Sequence, residues 1–188
     1  CWGYNGYKQS TPPEGLRDVK SIALGDCHSC ALKNDGTVVC WGRNHEKQST
    51  PPEGLRDVKS IALGYAHSCA LKNDGTVVCW GDNNYKQSTP PEGLRDVKSI
   101  ALGDYHSCAL KNDGTVVCWG RNVYKQSRIP YDGKMFSFLL GRRLRDVKSI
   151  ALGGEHSCAV KNDGTVVCWG RNGDGQSTPP RNLRVKID

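Results

Sequence analysis

A histidine and two cysteines recur at fixed spacing in four copies of one sequence block. In the first copy, residues 25–44 read GDCHSCALKNDGTVVCWGRN, which places His28, Cys30 and Cys40 in one short segment. Histidine and cysteine side chains are common zinc ligands, and both also serve in nucleophilic catalysis. The block therefore allows three interpretations, namely a metal site, a catalytic site or a structural cross-link.

Strand geometry favours the cross-link. The loop at residues 34–36 reads Asn-Asp-Gly and separates two Val- and Leu-containing runs, which predicts a β-hairpin. Counting outward from this loop places Cys30 opposite Cys40 in a non-hydrogen-bonded pair, where Cα atoms approach to about 4.5 Å, close enough for a disulfide. The same count predicts three more disulfides: Cys69–Cys79, Cys108–Cys118 and Cys158–Cys168. Four disulfides predict an oxidising compartment, extracellular or periplasmic.

The other two interpretations are less favoured. The spacing matches no standard zinc module, so we predict no metal site, with reduced structural thiols as the remaining alternative for the cysteines. An enzyme needs one site with distinct roles, whereas the four histidines are equivalent and have no acidic partner at a matching position. We expect no enzyme and no cofactor, and we predict that the histidines form hydrogen bonds between repeats. They are His28, His67, His106 and His156.

The repeat itself predicts the fold. The tripeptide CWG starts at residues 1, 40, 79, 118 and 168, so the period is 39 residues until an insertion lengthens the last copy. A period near 40 with short, Val-rich segments is typical of a β-propeller. We predict one all-β propeller domain over residues 1–188, with KQS as a short fourth strand of each blade and the CWG tryptophan packed between blades. Half-sets of strands at both ends of the chain predict roughly five blades, or part of a larger, seven-bladed ring.

The block VKSIALGxxHSCALKNDGTVVCWGxN followed by KQS resembles the repeat of the regulator-of-chromosome-condensation propeller family. In that family a His-x-x-Ala-Leu strand, an Asp-Gly turn and a Trp-Gly strand end recur in every blade. The short period and the KQSTPPEGL connector are most similar to the bacterial secreted propellers that inhibit β-lactamases, which implies a protein partner. The chromatin-regulator side of the family implies instead an exchange factor for a Ran-like GTPase or a chromatin binder. The regular cysteine pair departs from the usual family pattern.

We expect function where the copies differ. The differences fall in two windows, the residues after CWG and the two residues before each repeated histidine, and strand direction places both windows at one end of the blades. Tyrosine is enriched in both, and tyrosine is typical of protein-binding hot spots. A lectin with one sugar per blade is a further alternative, and neutral drift at loop tips would also produce differences. The predicted partner-binding residues are Tyr4, Tyr7, Arg43, His45, Glu46, Tyr65, Asp82, Tyr85, Tyr105, Arg121 and Tyr124.

The insertion at residues 128–143 is a second candidate surface. It carries the apolar side chains Met135, Phe136 and Phe138, which would cover a blade edge or dock a partner or a second subunit. Oligomers could form through this insertion or through the open ends of the blade array. The net charge of +7 is spread along the chain rather than clustered, so we do not expect nucleic acid as a partner. The sequence has no apolar run long enough for a membrane-spanning helix.

Overall fold

The structure is a computed structural model that describes residues 3–131, 143–181 and 183–187. It contains twelve β-strands, and no helix occurs among these residues. The strands are β1 Val19–Leu24, β2 His28–Lys33, β3 Val38–Gly42, β4 Val58–Leu63, β5 His67–Lys72, β6 Val77–Gly81, β7 Val97–Leu102, β8 His106–Lys111, β9 Val116–Gly120, β10 Val147–Leu152, β11 His156–Lys161 and β12 Val166–Gly170. Each consecutive group of three forms an antiparallel sheet in chain order. We call these sheets blades 1 to 4.

The hairpin of each blade has the predicted turn and register. In blade 1, Gly36 takes a φ of 78°, a left-handed conformation that glycine adopts without strain. The Asp35 carboxylate accepts hydrogen bonds from the backbone N and the hydroxyl of Thr37, which lowers the pKa of Asp35 to about 2. Cys30 lies opposite Cys40, with Cα atoms 4.1 Å apart, and the two form a disulfide. The equivalent disulfides are Cys69–Cys79, Cys108–Cys118 and Cys158–Cys168.

The KQS segment is not a fourth strand, so the prediction of four-stranded blades is wrong for the described blades. Lys47 has a φ of 62°, which breaks the extended conformation before Gln48. Gln48 is buried, and its carbonyl oxygen accepts hydrogen bonds from the Ser68 hydroxyl (3.0 Å) and Trp80 Nε1 (2.8 Å) of blade 2. Because this carbonyl already binds the next blade, it does not join a ladder with the preceding one.

The hydrophobic core lies between blades. Trp80 of blade 2 packs in one cluster with Cys30 and Leu32 of blade 1 and with Val58 at the start of β4. Equivalent clusters form between blades 2 and 3 and between blades 3 and 4. The inner strands β1, β4, β7 and β10 contact one another in that order. The predicted packing of the CWG tryptophan between blades is therefore confirmed.

The first blade leaves one face of its inner strand uncovered. Ile22 and Leu24 are 58% and 62% exposed, and Val19 is 38% exposed whereas its equivalent in blade 2, Val58, is only 3% exposed. We call this uncovered surface of blade 1 its leading face. At the other end of the array, Val185 N donates to Gly164 O at 2.9 Å, as Val58 N donates to Gly36 O at 3.1 Å. Residues 185–187 thus lie where the inner strand of a further blade would begin, beside the four complete sheets described.

The backbone hydrogen bond that closes the connector is kept on either side of the insertion. Leu144 N donates to Pro130 O at 3.0 Å, in the same way that Leu55 N donates to Pro52 O at 3.1 Å. Ile129 and Leu144 are buried in the core between blades 3 and 4. The segment between these anchors includes Met135, Phe136 and Phe138, and these three residues lie outside the described ranges.

Candidate functional site

The repeated histidine links neighbouring blades. His28 Nε2 of blade 1 lies 2.9 Å from the Ser68 hydroxyl of blade 2, and that hydroxyl donates to Gln48 O. Because the single hydroxyl hydrogen of Ser68 is used by Gln48, His28 must be the donor and carries its proton on Nε2. The same arrangement joins His67 to Ser107 and His106 to Ser157, so the predicted hydrogen bonding between repeats is confirmed for His28, His67 and His106.

These histidines are held in the neutral form. Burial lowers the pKa of His28 and His106 to about 4 and that of His67 to about 3. The His28 ring packs against Gly25, where any Cβ atom would overlap it, and its Nδ1 is enclosed without a hydrogen-bond partner. A neutral ring with one nitrogen in a hydrogen bond and the other enclosed is suited to a structural role rather than to proton transfer.

The two variable windows meet at one end of the blades, where the first and the third strand of each blade terminate. We call this the upper end. The Arg43 guanidinium follows β3 of blade 1 and lies 5.7 Å from the Tyr7 ring centroid and 6.0 Å from that of Tyr65 in blade 2. His45 meets the Tyr7 ring edge-on at 6.1 Å. An arginine over aromatic faces gains cation–π attraction and a fixed orientation.

The arrangement continues across blades 2 and 3. The Tyr105 ring centroid lies 5.6 Å from those of both Tyr65 and Tyr85, tilted against the first ring and edge-on to the second. The Arg121 guanidinium lies 5.5 Å from the Tyr85 ring, 5.7 Å from Tyr105 and 5.8 Å from Tyr124. One arginine thus organises three tyrosines that come from different loops.

Blade 4 completes the row with residues that the sequence-based prediction omitted. Arg171 lies 5.9 Å from the Tyr124 ring, and Glu155 forms ion pairs with both Arg121 and Arg171. Arg171 follows CWG as Arg43 and Arg121 do, and this equivalence would have identified it. We call the whole row the tyrosine–arginine strip; it comprises Tyr7, Arg43, Tyr65, Tyr105, Tyr85, Arg121, Tyr124 and Arg171.

Four of the predicted binding residues take other positions. Tyr4 is 72% exposed and lines a cavity of about 540 Å³ on the leading face, beside Ile22 and Leu24. The Asp82 side chain is buried and accepts hydrogen bonds from the Asn84 backbone N (3.0 Å) and Nδ2 (2.7 Å). Glu46 and His45 are exposed beside the strip, and of these His45 reaches it through Tyr7.

A smaller cavity of about 240 Å³ lies where the upper ends of the four inner strands meet. Asp104 lines it, and burial, followed by the nearby carboxylates of Glu155 and Asp26, raises the pKa of Asp104. The Cys27 thiol donates to Asp26 Oδ2 at 3.0 Å, and this bond raises the thiol pKa. Across the described residues, no group of three or more His, Cys, Asp or Glu side chains is placed to hold a metal ion. Nor does this part of the chain contain a helix long and apolar enough to span a membrane.

Comparisons with solved structures show propellers of the same type. Yeast RCC1 (Prp20), in its structure bound to Kap60, is 28% identical in sequence to this chain. The TM-score is 0.68, and the match covers 86% of this chain and 45% of Prp20. Prp20p of Saccharomyces cerevisiae, in a structure described with its binding to Gsp1p and histones, is 29% identical with a TM-score of 0.65, over 81% and 45%. The ectodomain of the Physcomitrella patens receptor kinase CR4 is 31% identical with a TM-score of 0.71, over 90% and 45%. The chain thus spans less than half the length of these relatives.

No curated protein sequence matches the chain significantly. The family model described as the regulator of chromosome condensation (RCC1) repeat matches four segments, which together make up more than half of the chain: residues 19–48, 58–87, 97–126 and 147–176. Each segment contains one complete blade and the connector turn that follows it. The chain belongs to the regulator of chromosome condensation (RCC1) repeat family.

Proposed function

We propose that the chain is a non-enzymatic binding module that recognises a protein partner through the tyrosine–arginine strip. The observation that carries this proposal is the continuous row of aromatic and cation–π contacts between tyrosines and arginines across all four blades, at positions where the repeats differ. The repeated residues are occupied in hydrogen bonds and packing between blades, which leaves the differing residues for recognition. Tyrosine and arginine are the residue types most enriched in protein-binding hot spots.

The strip suits a protein better than a sugar or a nucleic acid. A lectin with one sugar per blade needs similar polar groups in each copy, yet the third residue after CWG is of four different types in the five copies. These residues are Gly6, His45, Asn84, Val123 and Gly173. A nucleic-acid site needs uncompensated cations along the groove, whereas Glu155 is paired with both Arg121 and Arg171.

We place the partner in an oxidising compartment, extracellular or periplasmic. Four disulfides support this assignment, since such bonds persist outside the reducing cytosol. The likeness to a receptor-kinase ectodomain supports it as well. The resemblance of the KQSTPPEGL connector to secreted inhibitory propellers makes a secreted protein our first choice of partner.

The test is loss of partner capture when strip tyrosines are removed. Native protein is used to capture partners from the surrounding extracellular fluid, and the captured protein is then titrated against variants. The triple variant Tyr85→Ala, Tyr105→Ala and Tyr124→Ala should weaken binding at least about tenfold, the loss expected for hot-spot residues. Tyr4→Ala is the matched control, because Tyr4 is highly exposed but lies outside the strip. Unchanged binding by the folded triple variant would show that the strip is not the recognition surface.

A second candidate function is binding of a Ran-like GTPase or of histones, in a reducing compartment. The likeness to Prp20p, whose structure is described with Gsp1p and histones, favours it. The state of the cysteines separates the two candidates. Eight alkylatable thiols at the four hairpin pairs of the native protein, with binding to a Ran-like GTPase, would favour the second candidate over the first.

A further inference from the structure

The three arginines of the tyrosine–arginine strip occupy equivalent positions but differ in charge compensation. Arg43, Arg121 and Arg171 each follow CWG. The backbone N of each donates to the carbonyl of the residue just before the histidine of its own blade, at 2.8 to 2.9 Å. Their backbones therefore present the three side chains in the same way, and any difference among them comes from the side chains that surround each guanidinium.

Two of the three arginines are paired inside the molecule. The Glu155 carboxylate binds Arg121 of the preceding blade and lies 3.0 Å from Arg171 of its own blade. The Glu155 side chain is 19% exposed, so the pair is partly shielded from solvent. Arg171 also lies 3.7 Å from Asp174. A carboxylate from a partner would have to compete with these ion pairs.

Arg43 lacks a counterpart of Glu155, and Glu46, which stands three residues after Arg43 as Asp174 does after Arg171, forms no ion pair with it among the described contacts. The residue before His67 in blade 2 is Ala66, at the position where blade 4 has Glu155 for Arg121. The residue before the histidine in the blade of Arg43 itself is Cys27. Among the described residues no carboxylate lies within ion-pair distance of Arg43.

The surroundings of Arg43 hold its guanidinium in place. Tyr7 and Tyr65 flank it, and the interaction with the Tyr65 side chain raises the pKa of the guanidinium. Its Nε is buried, while the side chain as a whole remains partly exposed at the upper end. A guanidinium fixed between aromatic rings presents a planar donor edge, which matches the two oxygens of a carboxylate.

We propose that Arg43 receives a carboxylate of the partner, so that the partner is acidic where it meets blades 1 and 2. This inference rests on the proposed function and adds the chemistry of the contact. The partner supplies at Arg43 the charge that Glu155 supplies at Arg121. The recognised group is an aspartate or glutamate side chain in a partner protein.

The test uses a fluorescein-labelled oligoglutamate peptide as the probe, with oligoglutamine as the neutral control, followed by fluorescence anisotropy at low salt. Arg43→Gln should weaken oligoglutamate binding about tenfold, the usual effect of one hydrogen bond between charged groups. The single-charge control is Lys20→Gln, which removes an exposed cation from β1 and should bind within about twofold of the unaltered protein. Equal losses in Arg43→Gln and Lys20→Gln would mean that only net charge matters, and would overturn the proposal.

Two further variants test the comparison between blades. Ala66→Glu installs in blade 2 the carboxylate that blade 4 possesses, and it should reduce oligoglutamate binding as much as Arg43→Gln does. Glu155→Gln releases Arg121 and Arg171 and should strengthen binding several-fold. If Ala66→Glu does not fold, the Arg43→Gln result decides, and an unchanged affinity there contradicts the proposal. If oligoglutamate fails to bind while the tyrosine variants still lose the native partner, the inference about Arg43 is wrong and the proposed function stands.

Discussion

Acid should destabilise the fold through the three histidines that link the blades. His28, His67 and His106 are neutral in the folded protein, with pKa values of about 4, 3 and 4. In the unfolded chain each has an ordinary pKa of about 6.5. Between these values the unfolded state binds more protons than the folded state, so the free energy of unfolding falls as the pH drops below about 6.5. The effect should level off near pH 4, where the folded protein also takes up the protons.

The magnitude follows from these pKa values. At pH 5 an unfolded histidine is almost fully protonated, whereas the buried one is almost fully neutral. Linkage then lowers the free energy of unfolding by about 2 kcal/mol per histidine at pH 5 relative to pH 7. This value is almost the same whether the pKa in the folded protein is 3 or 4. Three such groups would remove about 6 kcal/mol if they act independently, a large share of the roughly 5–15 kcal/mol that stabilises a typical domain.

Other groups titrate mainly outside this window or in the opposite direction. The turn carboxylates of Asp35, Asp74, Asp113 and Asp163 have lowered pKa values, so their contributions are lost only at more acidic pH. Burial raises the pKa of Asp104, so protonation of this carboxyl group favours the folded state as the pH falls. The histidines should therefore dominate between about pH 6.5 and pH 4.

The assay is urea unfolding of the disulfide-intact protein, followed by tryptophan fluorescence at a series of pH values. His67→Gln retains a side-chain donor for Ser107 but does not titrate. Its free energy of unfolding should therefore fall by about 2 kcal/mol less between pH 7 and pH 5 than that of the unaltered protein. His45→Gln is the control, because His45 is exposed and makes no contact between blades through hydrogen bonds. An identical pH dependence for His67→Gln and the unaltered protein would refute the reasoning.

Two further predictions concern residues that recur in every blade. Non-reducing mass spectrometry should show the four hairpin disulfides, and eight free thiols in the native protein would contradict this pairing. Replacing Cys69 and Cys79 together by Ala should lower the free energy of unfolding by at most about 2–3 kcal/mol, since the closed loop is short. Gly64→Ala should destabilise the fold by about 1–3 kcal/mol, because its Cβ would overlap the His67 ring and the Gly103 carbonyl. Gly173→Ala is its control, with no atom within 4 Å of the added Cβ, and equal stability of the two variants in thermal unfolding would show that the close approach does not matter.

Local sequence was sufficient for the hairpins because their geometry is set by nearby residues. The turn at residues 34–36 fixes the register, and the register alone places Cys30 opposite Cys40. The role of KQS was predicted wrongly because a polar tripeptide has no strong local preference. Gln48 is buried through contacts with Ser68 and Trp80, which lie 20 and 32 residues further along the chain. Its unchanged recurrence in the copies was the available signal.

The candidate site was predictable in part. The differences among the copies identified most residues of the tyrosine–arginine strip, and strand direction placed them at one end of the blades. Pairings across blades were not predictable in this way, since Arg121 meets Glu155 only after blade 4 has packed against blade 3. Tyr4 belongs to the same variable window as Tyr7 but lies on the leading face.

The sequence by itself determined the period, the three strand segments of each repeat, the hairpin register and the cysteine pairing, because these depend on turn chemistry and alternation within a few residues. Only the tertiary structure decided which residues are enclosed between blades and which arginine remains uncompensated. Arg43 and Arg121 have the same local sequence context, CWG followed by Arg-Asn. Their difference arises from the next blade, where the residue before the histidine is Ala66 for Arg43 and Glu155 for Arg121, because a long-range charge pair exists only once packing brings the two loops together.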